Sequence, residues 1–332
     1  VLAYIIRRVI QLIPLLFLIS IITFIIIEIP PGDYLTMRII QLRQSGTEVA
    51  EEEIARLTMQ YGLDKPLSQR YLMWLWNIVR YGNLGRSFQW EKPVSEVLGE
   101  RIALTMVISI FTLIFVWMVS IPIGIYAATH QYSISDYAFT FFGFIGLSIP
   151  GFLLALVIMY VAFTHFGISV TGLFSPEYTD AVWSWAKVKS MLQRIWVPVI
   201  VIGLTGTAGL IRVMRGCLLD ELRKQYVITA RAKGVPERKL LFKYPVRIAI
   251  NPLISTIGWL LPSIVSGEAL VSIVLNLPTT GPVLLRALMY QDMYLAGSFV
   301  MILSVLTVTG TLISDILLAW LDPRIRYGGV SE

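Results

Sequence analysis

The chain has 332 residues, 56% of them hydrophobic and only 14% charged, with a formal net charge of +6. A soluble domain carries roughly 25% charged residues, so these proportions, with a mean hydropathy of +0.73, exclude a water-soluble globular protein. One cysteine, Cys217, and two histidines, His130 and His165, leave no disulfide framework and no ligand cluster for a structural zinc.

Apolar runs near the roughly 20 residues that cross a bilayer as helix occur six times along the sequence. The first covers about residues 9–29 and stops at Pro30-Pro31-Gly32, which cannot continue a helix. Its apolar stretch is too long for a signal peptide and no small-x-small site follows it, so a retained helix is expected. Residues 30–101 follow as a segment of mixed charge. Within it Glu48, Glu51, Glu52 and Glu53 stand where acids favour the positive end of a helix dipole. Ile54, Leu57 and Tyr61 then share a face, and Gly62 stands where that helix would stop. A second stretch spaces Tyr71, Trp74, Leu75 and Ile78 at helical intervals. This insertion reads equally as a docking platform for a partner and as a cap packed over the bundle.

The second span covers about residues 102–128, and the third about 138–166 with Pro150-Gly151 inside it. The fourth covers about 196–214, the fifth about 252–275 and the sixth about 295–321. Pro122, Pro150, Pro198 and Pro262 lie within spans, where neighbours satisfy the freed carbonyls, and each reads as a static kink. Charge sets the direction. Arg7 and Arg8 precede the first span, Arg324 and Arg326 follow the last, and ten Lys or Arg residues from Arg212 to Arg247 adjoin or join spans four and five. The opposite short loops hold only Lys187, Lys189, Arg194 and Arg286. The positive-inside rule then places both termini in the cytoplasm. The expected fold is an all-α polytopic membrane protein of six transmembrane helices. Residues 1–332 form one transmembrane domain, with 30–101 as a helical extracytoplasmic insertion and 215–251 as a cytoplasmic loop.

That loop has its own grammar. It reads as a continuation of the fourth helix, a short helix over about Tyr226 to Lys233, a turn at Gly234-Val235-Pro236 and a further helix from Glu237. Gly234 suits the left-handed position closing a helix, and Pro236 the first turn of the next. Small Ala230 and Ala232 let another surface approach closely, while Arg231 and Lys233 reach acidic groups on it. Periodicity alone does not separate this from a generic basic loop.

The run Tyr226-Val-Ile-Thr-Ala-Arg-Ala-Lys-Gly-Val-Pro-Glu-Arg-Lys239 resembles the coupling loop of binding-protein-dependent ABC importer permeases, in their dipeptide and oligopeptide branch. The same branch is matched by Tyr61-Gly-Leu-Asp-Lys-Pro-Leu67, Gly82-Asn-Leu-Gly-Arg-Ser87, Ser148-Ile-Pro-Gly-Phe152 and Leu321-Asp-Pro-Arg-Ile-Arg-Tyr327, in order and nearly end to end. The resemblance implies a second homologous permease subunit, two cytoplasmic ATPase subunits carrying ATP and Mg, and an extracytoplasmic solute-binding protein. No cofactor is expected on this chain, and lipid but no nucleic acid is expected around it. The family's ATPase-docking helix corresponds to Thr229, Ala230, Arg231, Ala232, Lys233, Gly234 and Val235. Two departures stand out: Ile228-Thr229-Ala230 replaces the acid-Ala-Ala opening of the wider motif, and Ser272 stands where peptide permeases commonly carry a glutamate. Peptides and oligosaccharides therefore both stay open as cargo.

Glu268 stands one helical turn before Ser272, among Ser263, Ser266 and Gly267. An ionisable group inside a membrane is a functional candidate, so Glu268, Ser266 and Ser272 are the expected translocation-path residues. Glu28 and Asp315 read as interfacial, and His130 and His165 as packing or solvent-facing. No Gly-Lys pair occurs, so the phosphate-cradling Gly-x-x-x-x-Gly-Lys loop is absent, and no nucleophile–base constellation appears. The chain does not read as an enzyme. A secondary transporter is the alternative class, but it should show broken helices paired between inverted halves, which the sequence does not display clearly.

Overall fold

The computed structural model describes residues 2–28, 39–40, 42–44, 48–61, 64–257 and 269–321. In chain order the main helices are α1 (Leu2–Glu28), α2 (Glu48–Tyr61), α3 (Leu67–Tyr81), α4 (Val94–Thr129), α5 (Ile134–Ser148), α6 (Gly151–Phe166), α7 (Trp185–Arg194), α8 (Trp196–Leu222) and α9 (Gln225–Ala232). They continue as α10 (Glu237–Lys243), α11 (Pro245–Ala249), α12 (Asn251–Ser255), α13 (Thr280–Met289) and α14 (Met293–Leu321). The only strands among the described residues are β1 (Arg86–Ser87) and β2 (Lys92–Pro93), antiparallel, with Arg86 opposite Pro93 and Ser87 opposite Lys92.

Among the described residues four helices are long and apolar enough to cross a membrane: α1 from Arg8, α4, α8 and α14 up to Ala319. The third expected span is not one helix. It is α5 and α6, which meet at a 99° bend. The reason is local: Pro150 has no N–H to donate, and the residue before a proline is pushed out of the helical region. Ile149 accordingly sits at φ −88°, ψ 119°. The fifth expected span starts as the single-turn helix α12, directly after the loop helix α11, and resumes as helix at 269–274. Residues 258–268, with Pro262, Ser263, Ser266, Gly267 and Glu268, lie outside the described residues, as do Pro30-Pro31-Gly32, Gly62 and the charged C-terminal run. Pro122 and Pro198 sit inside α4 and α8 without ending either helix.

The chain divides into two compact units. The larger comprises residues 1–8, 105–278 and 306–332, and α8 is its spine. Val116, Ala128, Leu210, Met214, Leu218, Val246, Ala249 and Leu253 form its core, so the loop helix α11 packs with α4 and α8 in one apolar cluster. Where α4 crosses α8, Gly124 lets the backbone approach: a Cβ there would fall 2.6 Å from Met214 Cβ. Ser120 Oγ donates to Thr207 O at the same crossing. At the periphery Arg8 pairs with Asp315, and Ser314 Oγ donates to Ile254 O.

The smaller unit comprises residues 9–104 and 279–305. Tyr71, Trp74, Leu75 and Ile78, the helical stripe read from the sequence, pack with Phe24, Ile27 and Tyr294. A second cluster joins Val94, Val97 and Leu98 to Val283, Ala287, Leu295 and Ala296. Asp292 ties the hairpin to α14: its carboxylate accepts from Ser87 Oγ at 2.5 Å, from Gln89 N and from Leu295 N. Both Ser87 and Asp292 are fully buried.

Candidate functional site

The loop after α8 folds as its sequence grammar requires. α8 runs unbroken to Leu222, the continuation of the fourth span that the sequence leads one to expect, and two residues later the chain turns into α9. Lys224 is the extended N-cap of α9, and Val227 and Ile228 donate back to its carbonyl. Gly234 takes φ +74°, the left-handed region closed to β-branched residues. Its N–H donates to Arg231 O, and that of Val235 to Ala230 O, so the last carbonyls of α9 are satisfied. No atom lies within 4 Å of a Cβ built on Gly234, so the glycine answers a backbone need, not a packing one. Pro236 is the N-cap of α10, one position earlier than the sequence reading.

α9 is held from one side only. Val227 is fully buried, while Ile228, Thr229, Arg231, Ala232, Lys233 and Gly234 are exposed and Ala230 and Val235 half-buried. Arg231 grips Glu237 across the turn with both guanidinium arms. That bond holds the Glu237 carboxyl below the usual carboxylate range and raises Arg231. Tyr226 donates to Glu221, and burial, then that carboxylate, pushes its phenol well above the ordinary value. Arg223, Lys224, Arg238, Lys239, Lys243 and Arg247 are also exposed. The result is a short, preshaped foot with a small-residue patch inside a basic rim, joined to the long helix α8 through Arg223 and the extended Lys224. Such a surface is suited to seat in an acid-lined cleft of another protein.

The structure adds a pair the sequence reading did not single out. Asp136, in the first turn of α5, is 2% exposed. Arg215 of α8 meets it with two bonds, Nε to Oδ1 and Nη2 to Oδ2, each 2.8 Å. Tyr132 N–H also donates to Oδ2, from a residue at φ +65°. Ser133 caps α5 by accepting from Asp136 N. The signal was legible: Ser133-Ile-Ser-Asp136 ahead of an apolar run is a helix-start pattern. Arg212, one turn before Arg215, lies over the Phe144 ring at 5.1 Å. α5 is therefore clamped along α8, seven residues before α8 ends.

Of the expected path residues, the structure describes one. Ser272 is fully buried in the helical segment 269–274, while Glu268 and Ser266 lie outside the described residues. Glu28 pairs with Arg70 at 2.8 Å and Asp315 with Arg8, so both carboxylates read as interfacial have cationic partners. His130 stacks on Tyr126 at 4.3 Å. Lys187, by contrast, is buried without a carboxylate among the described residues. Its ammonium donates to Ala181 O and Thr179 O and lies over the Phe174 and Trp183 rings.

Comparison with known proteins places this geometry in context. Residues 120–327 match the family described as binding-protein-dependent transport system inner membrane component, and residues 1–109 match its N-terminal counterpart. The oligopeptide transport system permease protein AppB of Bacillus subtilis is 34% identical over 98% of this chain and 99% of its own length. A putative peptide permease protein of Brucella ovis is 29% identical with the same coverage. The inner membrane ABC transporter permease protein YejB of Escherichia coli O157:H7 is 28% identical, again over 98% of this chain and 99% of that protein.

Proposed function

Because the chain belongs to the binding-protein-dependent transport system inner membrane components, multi-pass permease subunits of the inner membrane, we propose that it forms a path for peptide import with a second, similar permease. Residues 1–332 act as one transmembrane domain of six spans with both termini in the cytoplasm. Residues 30–101 face outward and 215–251 inward. An extracytoplasmic solute-binding protein delivers the cargo, and two cytoplasmic ATPase subunits bind ATP and Mg. The foot from Thr229 to Val235 docks on one of them. Glu268, Ser266 and Ser272 line the path when it opens.

The observation that carries this reading is α9: a one-sided, exposed, backbone-capped helix two residues beyond the end of the unbroken α8. Peptide cargo is supported by the likeness to the oligopeptide permease protein of Bacillus subtilis and the putative peptide permease protein of Brucella ovis. Oligosaccharides are the second reading, favoured by Ser272 at the position where a glutamate is common among peptide permeases.

The test is reconstitution of the permease pair, ATPases and binding protein in liposomes. Labelled peptides should accumulate only with ATP, and Gly234→Val and Ala230→Trp should abolish accumulation while the complex still inserts and binds its receptor. Normal ATP-driven uptake by both variants removes the docking role, and uptake of oligosaccharides but not peptides transfers the cargo assignment.

A further inference from the structure

α3 belongs to the insertion that reads as extracytoplasmic, yet its contacts lie deep along α1. Arg70 Nη2 bonds Glu28 at the end of α1 at 2.8 Å. The next residue, Tyr71, reaches Ser20 with its hydroxyl at 2.8 Å and packs edge-on against Phe17 and Phe24, with ring centroids 6.3 Å and 5.5 Å apart. At 1.5 Å per residue, Ser20 lies about 12 Å and Phe17 about 16 Å below Glu28. The apolar span of α1, Arg8–Glu28, is about as long as the roughly 30 Å hydrocarbon slab. Part of that drop is the length of the tyrosine side chain. The remainder, with Trp74 against Phe24 at 5.7 Å, sets the first half of α3 beside the last turns of the span, not above them.

The surface of α3 fits that depth. Its inner face, Tyr71, Trp74 and Ile78, is covered by the unit's own core. A second apolar stripe has no cover: Leu72 is 61% exposed, Trp76 62% and Val79 75%. These residues stand at i, i+4 and i+7, one helix face. No acid occurs in α3, and its only charges are Arg70, paired with Glu28, and Arg80. α2 is the contrast, with exposed Glu51 and Glu52 in its first turns. The exposed stripe continues the bare apolar flank of α1 at Leu18, Ile22, Ile25 and Ile26. Between the two helices runs a groove of about 420 Å³, walled by Ile21, Phe24, Ile25, Leu67 and Tyr71 together with Ser68 and Glu28, the partner of Arg70.

We propose that α3 is a membrane-seated helix, sunk into the leaflet at the Glu28 end of α1, with Leu72, Trp76 and Val79 against lipid acyl chains. The occupant is lipid because the stripe is continuous with the flank of a membrane-crossing helix and carries no charge, and an interfacial helix buries such an apolar face at the acyl boundary. The inference rests on α1 crossing the membrane, and the experiment separates the two. In a Cys217→Ser background, single cysteines at 18, 72, 76, 77 and 79 receive a nitroxide label. The complete transporter is then reconstituted in vesicles of phosphatidylethanolamine and phosphatidylglycerol. Collision rates with oxygen, which partitions into lipid, and with a water-soluble nickel chelate are compared, and uptake by each variant verifies folding. The oxygen-to-chelate ratio should be several-fold higher at 72, 76 and 79 than at Asn77 on the polar face. A chelate-favoured stripe overturns the proposal, and so does a stripe closed to both reagents, which would mean that a second permease or the receptor covers it. A lipid-favoured label at 18 with either result leaves the spanning of α1 intact. A water-favoured label at 18 overturns both.

Discussion

The Asp136–Arg215 pair carries an asymmetry that mutation should expose. Asp136 is 2% exposed, whereas the Arg215 side chain keeps 26% of its surface. Truncating one partner of a buried ion pair costs about 3–5 kcal/mol because the other charge is left uncompensated. In Arg215→Met the stranded charge is the sealed carboxylate, with one backbone N–H left to it. Water entering through the space vacated by the arginine relieves part of this, so the lower end, about 3 kcal/mol, is expected. In Asp136→Asn the stranded charge is a guanidinium that already reaches solvent, and about 1 kcal/mol is expected, the loss of a charge-assisted bond in a partly wet site. The double variant removes both charges and should be more stable than Arg215→Met by about 2 kcal/mol, since replacing both partners is close to neutral. Thermal unfolding of the purified complex in detergent, followed by fluorescence-detected size exclusion, ranks the four proteins. If Arg215→Met is no worse than Asp136→Asn, or the double variant is no better than Arg215→Met, the buried-charge account of this clamp is wrong.

Four further perturbations follow from the packing. Gly124→Ala puts a methyl 2.6 Å from Met214 Cβ, an atom fixed to its own helix, and should cost about 1–3 kcal/mol. Gly209→Ala, with open space around its Cβ, should be neutral or stabilising by the same thermal measurement. Asp292→Ala removes the acceptor for Ser87 Oγ, Gln89 N and the start of α14. It should cost about 2–3 kcal/mol, the sum of a lost cap and stranded buried donors, and protease should then cut within 82–93 faster than in the parent. Lys187→Met keeps the apolar contact with Phe174 and Trp183 but leaves the carbonyls of Ala181 and Thr179 without that donor. A loss of about 1–3 kcal/mol is expected, read as faster proteolysis of residues 172–184.

How much of this was legible depends on whether a residue acts through its neighbours in sequence or across space. Gly234, Pro236 and the small–basic alternation from Ala230 to Lys233 speak through local backbone rules, so the foot was readable with its boundaries nearly right. Tyr71, Trp74, Leu75 and Ile78 announced a helix by period, and the period named the face that is buried. It could not say that Leu72, Trp76 and Val79 form a second apolar stripe left bare, because that depends on where α1 stands. The third span was read as continuous because Pro150 can kink a helix or end it. The proline ends it: Ile149 before it leaves the helical region for φ −88°, ψ 119°, an outcome that the apolar run on either side does not announce. Asp136 and Arg215 are 79 positions apart, and no spacing rule connects them. The Ser133 cap hinted at a helix start but not at the partner of its acid.

The right-angled break between α5 and α6 has a consequence for how motion travels. α5 is tied to α8 at its start by two bonds, and Gly146 keeps it close further along, where a Cβ would stand at ordinary contact distance, 3.6 Å, from Leu204 O. α6 follows through two extended residues, Ile149 and Pro150, yet it also meets α8 itself: a Cβ on Gly151 would lie 4.0 Å from Val201 O. Two arms set at a right angle thus share one shaft. A displacement of that shaft is delivered to both arms at once, in two different directions.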